Sequence, residues 1–359
     1  MDFIELLKAA VIGIIEGITE WLPISSTGHM ILADEFIQLN VSPEFWEMFL
    51  VVIQLGAICA VILLFFRKLN PFAPSKNKDE KRKTWVLWAK VVVACIPAAI
   101  IGILFDDWFE EHFFNAVTVA IALVVYGIAF IVVERVKGSS ESDASALADA
   151  DSLTGTGLDD GAENAHLANA RSVEAASRGA QASTSYVPRH QKLEQKPALK
   201  VVEKTRPTSS KKRRGGDAVS SVDDLDFKRA IGMGVFQVLA IVPGTSRSGS
   251  TILGGRILGV SREAAAEFSF FLAIPVMFGW SLLKIVKGFI LDGLTLTTTE
   301  WGVFAVGVIV AFAVSIFAIK FLMGYIRKHS FEVFGWYRIV LGIVVLAFFA
   351  LTGQLFITQ

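Results

Sequence analysis

Five residues carry side chains able to move protons or grip an anion, and they stand where charge is expensive: Glu16, Glu20, Ser26, His29 and Arg247. The first four belong to Glu16-Gly-Ile-Thr-Glu20-Trp-Leu-Pro23-Ile-Ser25-Ser26-Thr27-Gly28-His29, flanked by almost wholly apolar sequence. A carboxylate in such a setting costs several kcal/mol unless it is paired, solvated by a cavity or bound to a cation. Glu16 and Glu20 are four residues apart, which on a helix puts both on one face, within reach of one metal ion, water or proton. Pro23 ends that helix. Ser26 then offers a nucleophile and His29 an acid or base near neutral pH; the competing reading is helix capping by Ser25 or Ser26 and a hydrogen-bonded, structural His29.

A second polar stretch follows far along the chain, Pro243-Gly244-Thr245-Ser246-Arg247-Ser248-Gly249-Ser250-Thr251. Its glycines let backbone N–H groups turn inward, its hydroxyls donate hydrogen bonds and Arg247 presents a forked cation, the makings of an oxyanion or phosphate cradle. Small residues also ease close helix packing in membranes. Arg247 argues against that simpler reading, because in an apolar region it needs an anion, supplied by Glu16, Glu20 or a phosphate ligand. Ser25, Thr27, Gly28, Gly244, Thr245, Ser246, Ser248 and Thr251 are the expected phosphate contacts. Glu16 and Glu20 are the expected metal ligands, since two carboxylates against one arginine leave a charge that a divalent cation, a proton or a water must balance.

These residues need a scaffold, and the composition says which kind. Of 359 residues 53% are hydrophobic, and the mean hydropathy is +0.55. The apolar residues fall in long blocks, which excludes a soluble enzyme and indicates a polytopic membrane protein. Cys59 and Cys95 sit in apolar spans without ligand-like neighbours and read as packing residues. Glu16 and Glu20 interrupt the first apolar run and no cleavage site follows it, so no cleavable signal peptide is expected. Residues 3–15 are too short to span a core of about 30 Å and suit a re-entrant helix. After a polar turn at 25–29, residues 30–36 form its second arm. Full spans are expected at 47–66, 85–105 and 113–133, separated by a basic loop (Arg67, Lys68, Lys76, Lys78, Lys81, Arg82, Lys83) and an acidic one (Asp106, Asp107, Glu110, Glu111). Positive charge marks the cytoplasmic side.

Residues 138–225 are rich in Ala, Ser, Gly and charge, and read as disordered. Beyond them the first half repeats: Pro23-Ile-Ser25-Ser26 aligns with Pro243-Gly-Thr245-Ser246 at an offset of 220, and further spans are expected at 264–285, 301–323 and 331–351. Arg327, Lys328 and His329 mark a cytoplasmic loop, which inverts the second half relative to the first. The expected fold is an all-α polytopic membrane protein of two inverted-topology repeats, each a re-entrant helical hairpin plus three transmembrane helices. Its parts are a first membrane repeat at 1–135, a disordered cytoplasmic linker at 136–225 and a second, inverted repeat at 226–359. Gln54, Lys90, Glu267, Lys284 and Lys320 are weaker cavity candidates, and the remaining histidines fall in loops.

Three patterns together resemble the undecaprenyl-diphosphate phosphatase, or bacitracin-resistance, family: E-G-x-T-E-[WF]-L-P-x-S-S-T-G-H from Glu16, P-G-x-S-R-S-x-x-T from Pro243, and R-E-A-A-x-x-F-S-F from Arg262. The resemblance covers both membrane halves. It implies hydrolysis of undecaprenyl diphosphate to the monophosphate and inorganic phosphate on the outer face of the cell membrane, recycling the lipid carrier for peptidoglycan synthesis. It also implies dependence on a divalent cation, Mg²⁺ or Ca²⁺, and functional roles for Glu16, Glu20, Ser26, His29 and Arg247. The partners it implies are the lipid substrate and membrane lipids, with no nucleic acid and with a homodimer left open. The segment 138–225 is longer than the family's usual loop. Inverted repeats with broken helices alone would favour a polyprenyl-phosphate flippase or an anion transporter; the motif resemblance decides for hydrolysis.

Overall fold

The computed structural model describes residues 2–113, 115–154 and 219–353, and the expectation of disorder at 155–218 lies outside them. Contacts divide the chain into two units, residues 1–138 with 216–359, and residues 139–215. Both hairpins lie in the first.

Eleven helices are named here: α1 (Phe3–Thr19), α2 (Ser26–Phe36), α3 (Pro43–Val52), α4 (Gln54–Leu64), α5 (Lys78–Phe113), α6 (Ala116–Thr154), α7 (Phe227–Val238), α8 (Arg247–Ile257), α9 (Arg262–Val286), α10 (Thr298–Ile326) and α11 (Glu332–Thr352). Among the described residues six segments are long and apolar enough to cross a membrane: Pro43–Leu64, Lys78–Phe105, Ala116–Gly138, Arg262–Leu291, Thr298–Ile326 and Glu332–Thr352. Each matches one expected span. Large apolar side chains such as Ile103, Ile309 and Phe317 stand on the outside of the bundle, as lipid requires.

The remaining helices form two hairpins that enter from opposite ends. At the base of the first, Lys8 donates to the Gln38 carbonyl and the Asn40 N–H to the Glu5 carboxylate, so the chain leaves where it entered. Ser42 then bonds Glu300 at the start of α10. The second hairpin closes with Arg229 on the Leu258 carbonyl and a single bridge between Val219 and Val260. That base lies at the other end of α10, where Arg327 faces Glu263 and Lys68 pairs with Glu267, gathering the basic loops. Beneath it Glu134 of α6 is held between Arg256 and Arg262, joining α6, α8 and α9. Ser315, about midway along α10, donates to the Gly17 carbonyl, which sets the first hairpin's tip near mid-depth.

Several boundaries move. The helix of the first arm runs on through Glu16 to Thr19, and residues 26–29, expected as turn, form the first turn of α2 because Ser25 caps it. The acidic group at 106–111 lies within α5, since no helix breaker separates it from the apolar run. At the C-terminal margin of the expected linker, Val219, Val222 and Leu225 are buried against the bundle, so the ordered second half begins before 226. At the other margin α6 continues to Thr154.

Candidate functional site

The two hairpin tips share one construction. After Pro23 and Pro243 the chain turns back through a serine with positive φ, 74° at Ser25 and 69° at Ser246, a conformation that costs on the order of 1–3 kcal/mol outside glycine. Each of these serines caps the next helix, Ser25 accepting from the Gly28 N–H and Ser246 from the Gly249 N–H. Ser26 and Arg247 are therefore both first residues of a helix. The sequence alignment paired Ser25 with Thr245; the caps pair it with Ser246, because Gly244 adds a residue to the second turn. Gly244 has φ +92°, and a Cβ there would stand 2.5 Å from the Val119 carbonyl oxygen of α6.

Glu20 closes the end of α1, its N–H bonded to the Glu16 carbonyl, and its carboxylate joins the hairpins. Arg247 donates to Glu20 Oε1 from Nη2 at 2.9 Å and from Nε at 3.2 Å. Ser26 Oγ donates to Oε2 at 3.0 Å. Both charged side chains are buried, at 11% and 7% exposure, so water screens this pair little. Nη1 of Arg247 donates to the Ser269 carbonyl at 2.9 Å, and the guanidinium lies over Trp21, 5.8 Å from the ring centre. A guanidinium has five N–H groups; three are thus engaged, leaving one on each terminal nitrogen. Glu16, one turn below Glu20, is 2% exposed, and its Oε1 has no protein partner.

Other expected site residues have different tasks. Ser248 donates to the Glu20 carbonyl, Thr245 to the Leu239 and Val242 carbonyls, and Thr251 to the Arg247 carbonyl, so these hydroxyl protons hold the tips in place instead of facing a ligand. Gly28 packs against Leu123. Thr27 is half-buried beside Ser26 in the first turn of α2, where backbone N–H groups lack helical acceptors. His29 does not serve Ser26 as expected: its nitrogens are on the Ser25 carbonyl and the Tyr337 hydroxyl, and Glu20 takes the serine.

Two participants escaped sequence reading. Arg338 is fully buried and donates to the Pro23, Gly244 and Thr245 carbonyls, clasping both turns from α11. Its signal was available, an arginine inside an apolar span. Tyr337 carried none, since an aromatic near a span end reads as an interfacial anchor.

Among the described residues no group of three or more His, Cys, Asp or Glu could hold a metal. Glu16 and Glu20 nevertheless fit a hard divalent ion completed by substrate oxygens: Glu16 has a buried oxygen without a partner, and among the described residues the one cation in an ion pair with either carboxylate is Arg247, leaving negative charge over.

A hydroxyl set on a carboxylate, beside a half-free guanidinium and two helix N-termini at mid-depth in an apolar bundle, defines a multi-pass membrane protein with a buried polar site whose chemistry suits an anion. The sequence profile described as Bacitracin resistance protein BacA matches residues 9–156 and 199–344, and the chain belongs to that family. It is 46% identical over 348 residues to an undecaprenyl-diphosphatase of Enterococcus faecalis, covering 97% of this chain and 99% of the relative. Undecaprenyl-diphosphatases of Acetivibrio thermocellus and Limosilactobacillus fermentum are 45% and 44% identical over 346 and 351 residues, covering 96% and 98% of this chain and 98% and 100% of theirs.

Proposed function

We propose that this chain is a membrane-embedded undecaprenyl-diphosphatase, releasing inorganic phosphate and leaving the lipid monophosphate for reuse as a carrier. The observation that carries the chemistry is Glu20, whose two oxygens separately hold the Ser26 hydroxyl and the Arg247 guanidinium. Arg247 offers its two remaining N–H groups to the terminal phosphate, and the first-turn N–H groups of α2 and α8 add fixed positive dipoles.

Ser26 Oγ attacks the terminal phosphorus in line while its proton passes to Glu20 Oε2. The bond from that phosphorus to the bridging oxygen breaks, and the lipid monophosphate leaves with the electron pair. Water then displaces the seryl oxygen, which recovers its proton from Glu20, and inorganic phosphate departs. Held by Glu16 and Glu20, a divalent cation such as Mg²⁺ or Ca²⁺ would neutralise phosphate charge. His29 braces the turn that carries Ser26. The site opens to the extracytoplasmic side of the cell membrane in this reading, supported by basic residues gathered at the opposite end of the bundle. The two halves are inverted repeats, supported by hairpins that enter from opposite ends and turn through equivalent capping serines.

The test is inorganic phosphate release from undecaprenyl diphosphate by detergent-purified protein, where no two-sided membrane exists and transport has no readout. Release is expected, and its absence would refute the proposal. The mass of the same preparation in detergent reports whether it forms the homodimer left open by the sequence.

A further inference from the structure

His29 is held at both ring nitrogens. Nδ1 lies 2.6 Å from the Ser25 carbonyl oxygen and Nε2 lies 2.7 Å from the Tyr337 hydroxyl. A carbonyl can only accept, so Nδ1 carries the hydrogen. In the neutral ring Nε2 is then a lone pair, and the Tyr337 hydroxyl must donate to it. The two rings are parallel within 6°, with centroids 5.6 Å apart. The Ser25 carbonyl therefore sets the tautomer of His29, and Tyr337 fixes the plane of the ring from a different helix. The contact also bears on Ser25, whose positive φ sets the direction in which Ser26 leaves the turn. The next residue of α11, Arg338, clasps the carbonyls of both turns. Two consecutive side chains thus hold the turn bearing Ser26 from the outside.

We infer that Tyr337 is a positioning residue for phosphate release: its hydroxyl on Nε2 anchors the ring of the Nδ1-protonated His29, which braces the Ser25–Ser26 turn. The inference rests on the phosphatase reading of this site. The charged and titratable groups toward His29 are Arg338 and Tyr337 on α11, with Tyr126 of α6 under the Arg338 guanidinium.

The experiment compares phosphate release by the full chain, Tyr337→Phe, His29→Gln and the double variant. The kcat of Tyr337→Phe should fall about tenfold while KM stays within about twofold. In the His29→Gln background the tyrosine substitution should add nothing. Nitrogen NMR of labelled histidine should find His29 protonated at Nδ1. An unchanged kcat in Tyr337→Phe, a loss expressed in KM instead of kcat, additive losses in the double variant, or a ring protonated at Nε2 would each overturn the inference. If His29→Gln turns over normally while Glu20→Gln does not, Tyr337 loses its role and the phosphatase reading survives. No release by the unmodified chain would bring both down.

Discussion

Glu20→Gln is the sharpest single perturbation of the site, because it keeps the shape of the side chain and removes two things at once. The carboxylate accepts from Arg247 at 2.9 and 3.2 Å through one oxygen and from Ser26 at 3.0 Å through the other. An amide keeps its oxygen toward the arginine and turns its NH₂ toward the serine. Ser26 can then only accept, and its proton has no base. Loss of a positioned base lowers turnover about 10²–10⁴-fold, or roughly 3–5 kcal/mol of barrier. The cost to the fold is smaller. Arg247 keeps a neutral acceptor and the Ser269 carbonyl, so the change from a charged to a neutral partner should remove about 1–2 kcal/mol. Phosphate release should therefore collapse in a protein that still elutes monodisperse and melts within several degrees of the parent. Because Glu20 and Ser26 act on one proton, Ser26→Ala combined with Glu20→Gln should be hardly worse than the more damaging single variant. Turnover of Glu20→Gln within about tenfold of the parent would refute the base assignment and leave Glu20 as a tether for Arg247.

Three further outcomes follow from the same geometry. Arg247→Lys should lower turnover at least about tenfold with expression retained, since an ammonium cannot span Glu20, Ser269 and a phosphate together; near-normal turnover would remove the fork from the mechanism. Gly244→Ala should destabilise the protein by more than about 2 kcal/mol, read as a fall in melting temperature, because its Cβ would press on the backbone of α6 at a positive φ. Chelation should suppress phosphate release and added Mg²⁺ or Ca²⁺ restore it, whereas Glu16→Gln should raise the cation concentration needed; release indifferent to chelator would exclude the two carboxylates as a metal pair.

The six spans were legible because insertion into lipid tolerates few alternatives to an uninterrupted apolar helix. The chemistry was partly legible for the converse reason: Glu16, Glu20 and Arg247 are conspicuous where charge is costly. What stayed hidden was contact order. Sequence spacing placed His29 beside Ser26, but the helix begins at Ser26, and the ring turns to the Ser25 carbonyl and α11. The serines with positive φ could not be foreseen, since the residue type disfavours that conformation and only the surrounding packing imposes it. The hydroxyls of Thr245, Ser248 and Thr251 looked like phosphate donors by composition. They are consumed because a broken helix in a membrane must satisfy its own loose carbonyls first.

That requirement also bears on how the tips would select an anion in the proposed mechanism. A helix ending at mid-depth exposes carbonyls at its C-terminus and N–H groups at its N-terminus, and each tip contains one of each: α1 and α7 end there, α2 and α8 begin there. Left alone, the two polarities would largely cancel. Here the negative ends are covered. Arg338 takes the Pro23, Gly244 and Thr245 carbonyls, Ser248 the Glu20 carbonyl, and Thr245 those of Leu239 and Val242. The capping serines claim only the N–H groups of Gly28 and Gly249, deeper in the first turns. The N–H groups at the very start of α2 and α8 have no helical acceptor of their own. In the proposed phosphate site Arg338 would contribute to anion binding without approaching the anion, by neutralising the half of each tip that would repel it.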